Sequence, residues 1–187
     1  FPTLAGSKWL LEDYGISPGF YDTRFNSDLV EALLLMNEVY DIPEFADSAI
    51  RYGQYYQTMA EQHHYTLTKA DGQEAWLVWD YAHNEGCQPN HCSLNHQVAE
   101  ILVLYRLFDL THYEGYQRLA QLLLNGILAL GEEWILSNQD LAYAYLPDGS
   151  MGLPDYPYLT YNDLYNVQKY YQGVGRTRSA ALDRLMA

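Results

Sequence analysis

The sequence predicts an all-α domain of antiparallel helical hairpins that form an (α/α) toroid or partial toroid, with small β-hairpins in its rim loops. Three observations lead to this prediction. Apolar residues recur at helical spacing in six segments. The connections within successive pairs of these segments are short, which makes each pair an antiparallel hairpin. The stretches that precede each pair, at 14–26, 64–92 and 137–159, are long and polar.

The first predicted hairpin follows an irregular stretch at 1–25. Asn26 or Ser27 suits the N-cap of a helix that runs to about Tyr40. This helix is apolar nearly all round, so we expect it to be buried. An Asp-Ile-Pro sequence ends it, and proline is favoured in the first turn of the next helix, at 43–62.

The rest of the chain continues the pattern of paired helices. An Asp-Gly pair between two β-type segments is a hairpin signal. The remaining predicted elements are this β-hairpin (65–68 with 74–81), the second helical pair (93–110 and 113–135), a short strand (142–146) and the third helical pair (161–173 and 177–187).

Helix parity predicts where the long loops lie. Alternate helices are parallel in an up-down array, so the first helices of the three hairpins begin on one rim, together with their preceding loops. A closed toroid needs about twice as many hairpins. We therefore expect an open arc, or the final part of a larger barrel, over a single domain at 1–187. The alternative is an ordinary helical bundle with irregular loops. The start at Phe1, without an initiator Met or a signal-peptide pattern, suggests that a further segment precedes it.

Composition narrows the classes of partner. Hydrophobic residues make up 49% of the 187 residues and charged residues 18%, as in a globular domain. The formal charge of -14 disfavours nucleic acid and anionic membranes, which need a basic surface. No apolar run is long enough to span a membrane. The 19 tyrosines suit sugar stacking and hydrogen bonding, although many of them are expected simply to line helix seams.

The stretch from Trp76 to Leu110 carries the most reactive chemistry. A polar loop and the helical turn that follows it contain His83, Glu85, Cys87, His91, Cys92, Asn95 and His96. The two cysteines allow free thiols, a disulfide or metal ligation, and they do not fix the compartment. The spacing of the cluster matches no common zinc motif, so we predict no metal and no cofactor.

Three segments carry a resemblance to a known family. The first is Ser17-Pro18-Gly19-Phe20-Tyr21, which is followed by a helix. The second is Trp79-Asp80-Tyr81 with the later Ser93-Leu94-Asn95, and the third runs from Tyr158 to Gln168. In order and spacing they resemble the C-terminal toroid domain of the D-glucuronyl C-5 epimerase family. The corresponding stretches of that family are Pro-Gly-Trp-Tyr, Trp-Tyr-Glu-Glu with a later Leu-Asn helix, and a Tyr-bearing helix start.

The resemblance implies inversion of carbon 5 in glucuronosyl residues of a polysaccharide, by proton removal and return through tyrosines. It implies Tyr161 and one of Tyr143 or Tyr145 as the proton-transfer pair, with Asp80 or Glu85 assisting. The family also has a Tyr-Asp-Leu-Arg-His stretch, and here the matching region lacks Arg and His. For that reason the two candidate tyrosines are equally placed.

The residues expected on this rim also predict the substrate and the partners. The expected substrate-binding residues are Tyr21, Phe20, Arg24, Trp79, Tyr81, His91, Asn95, His96, Tyr158 and Asn162. The rim offers few cations beyond Arg24 and Lys69, which disfavours a highly sulfated glycan. The expected partner is a polysaccharide or oligosaccharide, and a preceding N-terminal domain or a homo-oligomer both stay open.

Three other functions stay open. A polysaccharide lyase would share the same carbanion-like intermediate. A six-hairpin glycoside hydrolase would need paired carboxylates, such as Asp80 and Asp163, facing each other at ~5–10 Å. A non-catalytic sugar-binding domain would need neither this intermediate nor paired carboxylates. Tyrosines that converge with one acid favour epimerisation.

Overall fold

The computed structural model describes residues 1–156 and 158–187, and at 153 and 154 it describes the backbone alone. The helices are α1 (Lys8–Tyr14), α2 (Thr23–Tyr40), α3 (Pro43–Gln62), α4 (Leu94–Thr111), α5 (Glu114–Leu130), α6 (Leu159–Gly173) and α7 (Ala180–Leu185). The strands are β1 (Tyr21–Asp22), β2 (His64–Thr68), β3 (Glu74–Val78), β4 (Tyr81–Ala82), β5 (Cys92–Ser93), β6 (Ala142–Tyr145) and β7 (Met151–Pro154).

The prediction of an all-α toroid is wrong. Helices make up 57% and strands 13% of the structure, and the strands form three small antiparallel sheets, so the fold is mixed. The physical reason lies in the long loops. Parts of these loops are buried, and buried backbone N–H and C=O groups need hydrogen-bond partners. Short pairs of strands provide those hydrogen bonds. The pairs are β1 with β4, β2 with β3, and β5 with β6 and β7.

The first helices begin earlier than the sequence patterns indicated. Residues 1–25 are not wholly irregular, because α1 lies within them. The N-cap of α2 is Asp22, whose side chain accepts a hydrogen bond from the Phe25 N–H at 3.0 Å, and not Asn26 or Ser27. Carboxylate capping satisfies an unpaired N–H and complements the positive helix end.

Three helices form a parallel row with α4 in the middle. Helix α4 packs against α2, α5 and α6, and α2 also packs against α3. The starts of the three helices meet at one end. The Thr23 hydroxyl of α2 lies 2.7 Å from Nδ1 of His96 in α4, and Arg24 lies 2.5 Å from Asp163 in α6. The parallel arrangement predicted from helix parity is therefore confirmed.

The three polar loops are joined at that end by their strands. The pairing of Asp22 with Tyr81 ties the first loop to the second, and the pairing of Cys92 with Tyr145 ties the second to the third. The loops therefore share one face of the domain, as the parity of the helices predicted.

Helix α5 closes the core at a glycine. A Cβ at Gly126 would lie 2.0 Å from the Trp76 carbonyl oxygen, so only glycine allows the helix to approach strand β3 this closely. The helix ends at Leu130, short of the predicted end near Ile135, and continues as a single 3-10 turn. Within the described residues, no helix is long and apolar enough to cross a membrane.

Candidate functional site

Asp80 lies where the three strand-paired loops meet. We call this residue and the side chains around its carboxylate the Asp80 centre. Asp80 is fully buried between β3 and β4. Its N–H donates to the His91 carbonyl at 3.0 Å, and its carbonyl accepts from the Thr23 N–H at 3.0 Å. The backbone of this one residue therefore connects the start of α2 with the segment that leads into α4.

Ser93 holds the Asp80 carboxylate from the start of α4. Its N–H donates to Oδ1 at 2.8 Å, and its hydroxyl donates to Oδ2. Ser93 occupies the N-cap position of α4, but its side chain makes no capping hydrogen bond. The hydroxyl is engaged by the acid instead, so the carboxylate lies at the positive end of the helix, where a negative charge is stabilised.

Two buried histidines flank the same carboxylate. His96 Nδ1 lies 3.6 Å from Oδ1 and 2.7 Å from the Thr23 hydroxyl. His91 Nε2 lies 3.3 Å from Oδ2, and His91 Nδ1 lies 2.9 Å from the hydroxyl of Tyr14. Nε2 makes no well-aligned hydrogen bond, so its contact with Asp80 is mainly electrostatic. His91 thus connects a buried acid to a phenol.

The electrostatics keep Asp80 ionised. Burial alone would raise the pKa of Asp80, but His96, His91 and Ser93 outweigh burial, and the pKa falls below its ordinary value. Burial lowers the pKa of His96, although Asp80 and Asp22 oppose that shift. At neutral pH the centre therefore holds a carboxylate beside a neutral His96.

Aromatic rings surround His91 on several sides. The rings of Tyr14, Tyr81 and Tyr143 have centroids 5.5, 5.6 and 6.0 Å from the imidazole. Trp9 stacks on it at 6.0 Å with nearly parallel planes. Tyr14 and Tyr143 come from different segments, α1 and β6, so two phenols approach the same histidine independently.

Both phenols keep their protons at neutral pH. Burial, followed by Asp13 and Asp80, raises the pKa of Tyr14. Burial, followed by Asp80, raises the pKa of Tyr143 to about 12, while a hydrogen bond with Ser93 opposes the shift. Each is only partly buried, so each presents a proton donor next to solvent.

The structure brings five of the predicted site residues to this centre: Asp80, Tyr81, His91, His96 and Tyr143. Phe20 lies behind them, where it packs edge-to-face on Tyr81. Of the two tyrosines that the sequence could not separate, Tyr143 lies here, while Tyr145 packs against Tyr65 instead.

Four predicted residues lie elsewhere on the joined loops. Glu85 is exposed, and its N–H contacts His83. Tyr161 is 45% exposed on the first turn of α6, with Arg178 as a charged neighbour. Tyr158 is exposed at the N-cap of α6, and its carbonyl accepts from the Asn162 N–H. A role for these side chains in binding or chemistry stays a prediction.

Arg24 and Asp163 form a second polar group beside the centre. Arg24 also contacts Asp28 and the carbonyl of Asn95. Burial raises the pKa of Asp163 to about 6, although Arg24 opposes that shift. The side-chain oxygen of Asn95 is buried without a hydrogen-bond partner.

The other two predicted binding residues stack on neighbouring rings. Trp79 packs against His63 at a centroid distance of 5.0 Å, and Tyr21 packs against Tyr55 at 4.3 Å.

The cysteines do not gather with the histidines. Both are free thiols, and the Sγ atoms of Cys87 and Cys92 approach the carbonyls of Tyr81 and Leu77 respectively. Within residues 1–156 and 158–187, no group of three His, Cys, Asp or Glu side chains is placed to hold a metal ion.

Sequence reasoning missed Tyr14, Trp9, Thr23 and the role of the Ser93 hydroxyl. Tyr14 and Trp9 lie on α1, and Tyr14 is separated from His91 by 77 positions. Ser93 was visible only as the opening of a helix. A serine at a helix start that follows a buried acid is the one local signal that could have indicated this contact.

Comparison with known proteins adds no family. No protein-family model matches the chain, and no curated protein matches it.

Proposed function

We propose that this domain inverts carbon 5 of uronosyl residues within a polysaccharide, with Tyr14 and Tyr143 as the proton-transfer pair. The observation that carries the proposal is the chain of contacts from Asp80 through His91 to Tyr14. A buried carboxylate lies 3.3 Å from one imidazole nitrogen, and a phenol lies 2.9 Å from the other. This is the arrangement that activates a weakly acidic hydroxyl in acid–histidine–nucleophile systems.

Each member of this relay has a distinct part. The electrostatic contact with the Asp80 carboxylate favours the His91 tautomer with its proton on Nε2, which leaves Nδ1 to accept the Tyr14 proton. As Tyr14 takes the proton from carbon 5, its own proton moves to Nδ1 of His91. The electron pair of the broken C–H bond delocalises into the uronate carboxylate, and Asp80 stabilises the imidazolium that forms.

The second phenol completes the inversion. Tyr143 donates its proton to the opposite face of carbon 5, and the phenolate that remains takes a proton from solvent. Tyr14 releases the proton that came from carbon 5 to solvent as His91 passes its own proton back to Tyr14, which restores all three groups. Because the pKa of Tyr143 is raised to about 12, this phenol remains protonated until the intermediate forms. A return of the proton by Tyr14 would restore the starting sugar, so inversion depends on the second group.

The carboxylates give less support to a glycoside hydrolase. That function needs one carboxylic acid and one carboxylate facing each other across the bond that breaks. Asp80 is fully buried and engaged by Ser93 and two histidines. Asp163 is bound to Arg24. Neither acid is free to protonate a glycosidic oxygen.

The test follows three products in deuterated water. The protein is incubated with an unsulfated glucuronate-containing polysaccharide, and the proposal predicts deuterium at carbon 5 and a 5-epimeric uronate by NMR, without new reducing ends. New reducing ends with unsaturated uronate would identify a lyase, and new reducing ends alone a hydrolase. Either result, or an unchanged polymer, would overturn the proposal.

One observation favours a second function, sugar binding without catalysis. Exposed aromatic rings lie beside the centre: Trp9 is 46% exposed, and Tyr156, which packs edge-to-face on Tyr143, is 62% exposed. Such rings bind sugar faces without any proton transfer. Unchanged polymer combined with saturable binding that Trp9→Ala abolishes would favour this function.

A further inference from the structure

Helix α2 carries an unpartnered apolar face. Its buried residues, which include Val30 and Leu34, lie on the side that packs against α3 and α4. On the opposite face, six large apolar side chains are between 40% and 71% exposed: Phe25, Leu29, Leu35, Met36, Val39 and Tyr40. A helix that is apolar on both faces is normally covered on both. The sequence prediction that this helix is fully buried is therefore wrong for the isolated chain.

The exposed residues follow the spacing of a helix-packing seam. Phe25, Leu29, Ala32, Met36 and Val39 are separated by four, three, four and three positions. This alternation keeps one stripe facing a partner helix over two heptads. Because the small Ala32 lies at its centre, the backbone of a second helix can approach closely there.

The two ends of the helical row differ. At the other end of the row, the exposed positions of α6 after its first turn are mainly polar: Asn166, Lys169 and Gln172, with Tyr165 among them. Arrays of packed helices need such a polar outer face where they end. The row thus has a polar end at α6 and an open apolar end at α2.

The exposed area suits a modest protein interface. Side chains of this size have on the order of 150–250 Å² of surface when free. Six of them at the observed exposures leave roughly 600 Å² on this face, at the upper end of the about 300–600 Å² of the largest apolar patch on a typical monomer. Two such faces together would bury roughly 1,200 Å², at the lower limit of stable interfaces.

We propose that two copies of this chain pair through the outer faces of their α2 helices, antiparallel, about a twofold axis at Ala32. In this register Phe25 meets the partner's Val39 at each end of the seam, and Leu29 meets the partner's Leu35. A larger side chain therefore faces a smaller one at each end, which makes the seam self-complementary, as a closed dimer requires. The α6–α4–α2 row continues into the second copy.

Charge does not oppose this register locally. Asp28 is the acid next to the seam, and it lies four positions from Ala32. The two copies of Asp28 are therefore eight positions apart along the paired helices, or about 12 Å, beyond the Debye length at physiological salt. The net charge of -14 on each copy still opposes association, so higher salt should strengthen the dimer.

The first test is the mass in solution. Sedimentation equilibrium at up to roughly 100 µM, where weak interfaces of this size associate, should give twice the chain mass of 21.6 kDa. Leu29→Glu and Val39→Glu should each give the monomer with an unchanged circular dichroism spectrum, while Tyr165→Glu on α6 should leave the dimer intact. A monomeric wild type, or a dimer that survives both seam changes, overturns the proposal.

A second test reports the register. Because Ala32 lies on the axis, two copies of the Ala32→Cys variant should form an intermolecular disulfide on mild oxidation. A Tyr165→Cys variant serves as the matched control and should stay uncrosslinked, as should the wild type with its half-buried Cys87. Equal crosslinking of all three proteins would show that the contact lies elsewhere.

Discussion

Replacement of Asp80 by asparagine should destabilise the domain by about 3 kcal/mol. Asparagine keeps the shape of the side chain but removes its charge. Hydrogen bonds to a charged group are worth about 1.5–3 kcal/mol, against about 0.5–1.5 kcal/mol for neutral pairs. The Ser93 N–H and hydroxyl each lose roughly 1 kcal/mol in this exchange, and the new amide points a donor at the Nε2 proton of His91, which costs a similar amount.

The loss should depend on pH in a defined direction. The folded-state pKa of Asp80 lies below its ordinary value of 3.8. The carboxylate therefore contributes its full stabilisation above about pH 4, and this contribution is lost as the pH falls through the folded-state pKa. The difference between wild type and variant should accordingly persist from pH 7 down to about pH 4 and shrink below that.

Urea unfolding followed by circular dichroism measures both effects. For a chain of this length, about 3 kcal/mol also corresponds to a fall in Tm of roughly 6–12 °C. The matched control is Asp28→Asn, which removes an exposed partner of Arg24 and should cost less than about 1 kcal/mol. The reasoning fails if Asp80→Asn is as stable as the wild type, or if the exposed control loses as much.

Three further predictions concern packing and titration. Gly126→Ala should destabilise the domain by about 3 kcal/mol or more in urea unfolding, because the new methyl group meets a backbone carbonyl, whereas Gly173→Ala, with open space around it, should be neutral or slightly stabilising. The Asp163 carboxyl should titrate by NMR near pH 6, and Arg24→Gln should move that midpoint higher; a midpoint near 4 would contradict the burial argument. Because burial lowers the pKa of His96 in the folded state, the wild type should lose stability relative to His96→Asn as the pH drops below 6.5 in urea unfolding.

The periodicity of apolar residues was sufficient to predict the long helices. The bounds of α3 and α4 follow the apolar spacing closely, and the Asp-Gly turn located the hairpin of β2 and β3. Parity placed the starts of α2, α4 and α6 together, as the contact between Thr23 and His96 confirms. These features depend on local residue patterns and short connections, which can be recognised in the sequence.

The centre itself could be predicted only in part. The family resemblance and the dense polar loop pointed to Asp80, His91 and His96. The contact of Tyr14 with His91 spans 77 positions and is made by a short helix in which Leu10 is the buried residue. Strands of two residues, such as β1 and β5, carry no periodicity. Both the contact of Tyr14 with His91 and the two-residue strands depend on tertiary packing, which no local sequence pattern indicates.

The exposed face of α2 shows a different limit. The sequence indicated that this helix is apolar all round, and burial was the natural expectation. The structure leaves Phe25 and Val39 63% and 71% exposed. The apolar pattern predicts a covering partner for this face, and the proposed dimer places that partner outside the single chain.

The central claim is tested most directly by measuring solvent deuterium exchange at carbon 5 of the glucuronate polymer with the Tyr14→Phe variant. The change removes one hydroxyl and keeps the ring that packs on His91. Tyr161→Phe is the matched control, since it removes a hydroxyl from the other candidate on an exposed turn. The relay of Asp80, His91 and Tyr14 predicts a loss of exchange of at least about 100-fold for Tyr14→Phe, as for other general acid–base groups, and wild-type exchange for Tyr161→Phe. Full exchange by Tyr14→Phe, or its loss in Tyr161→Phe alone, would contradict the account.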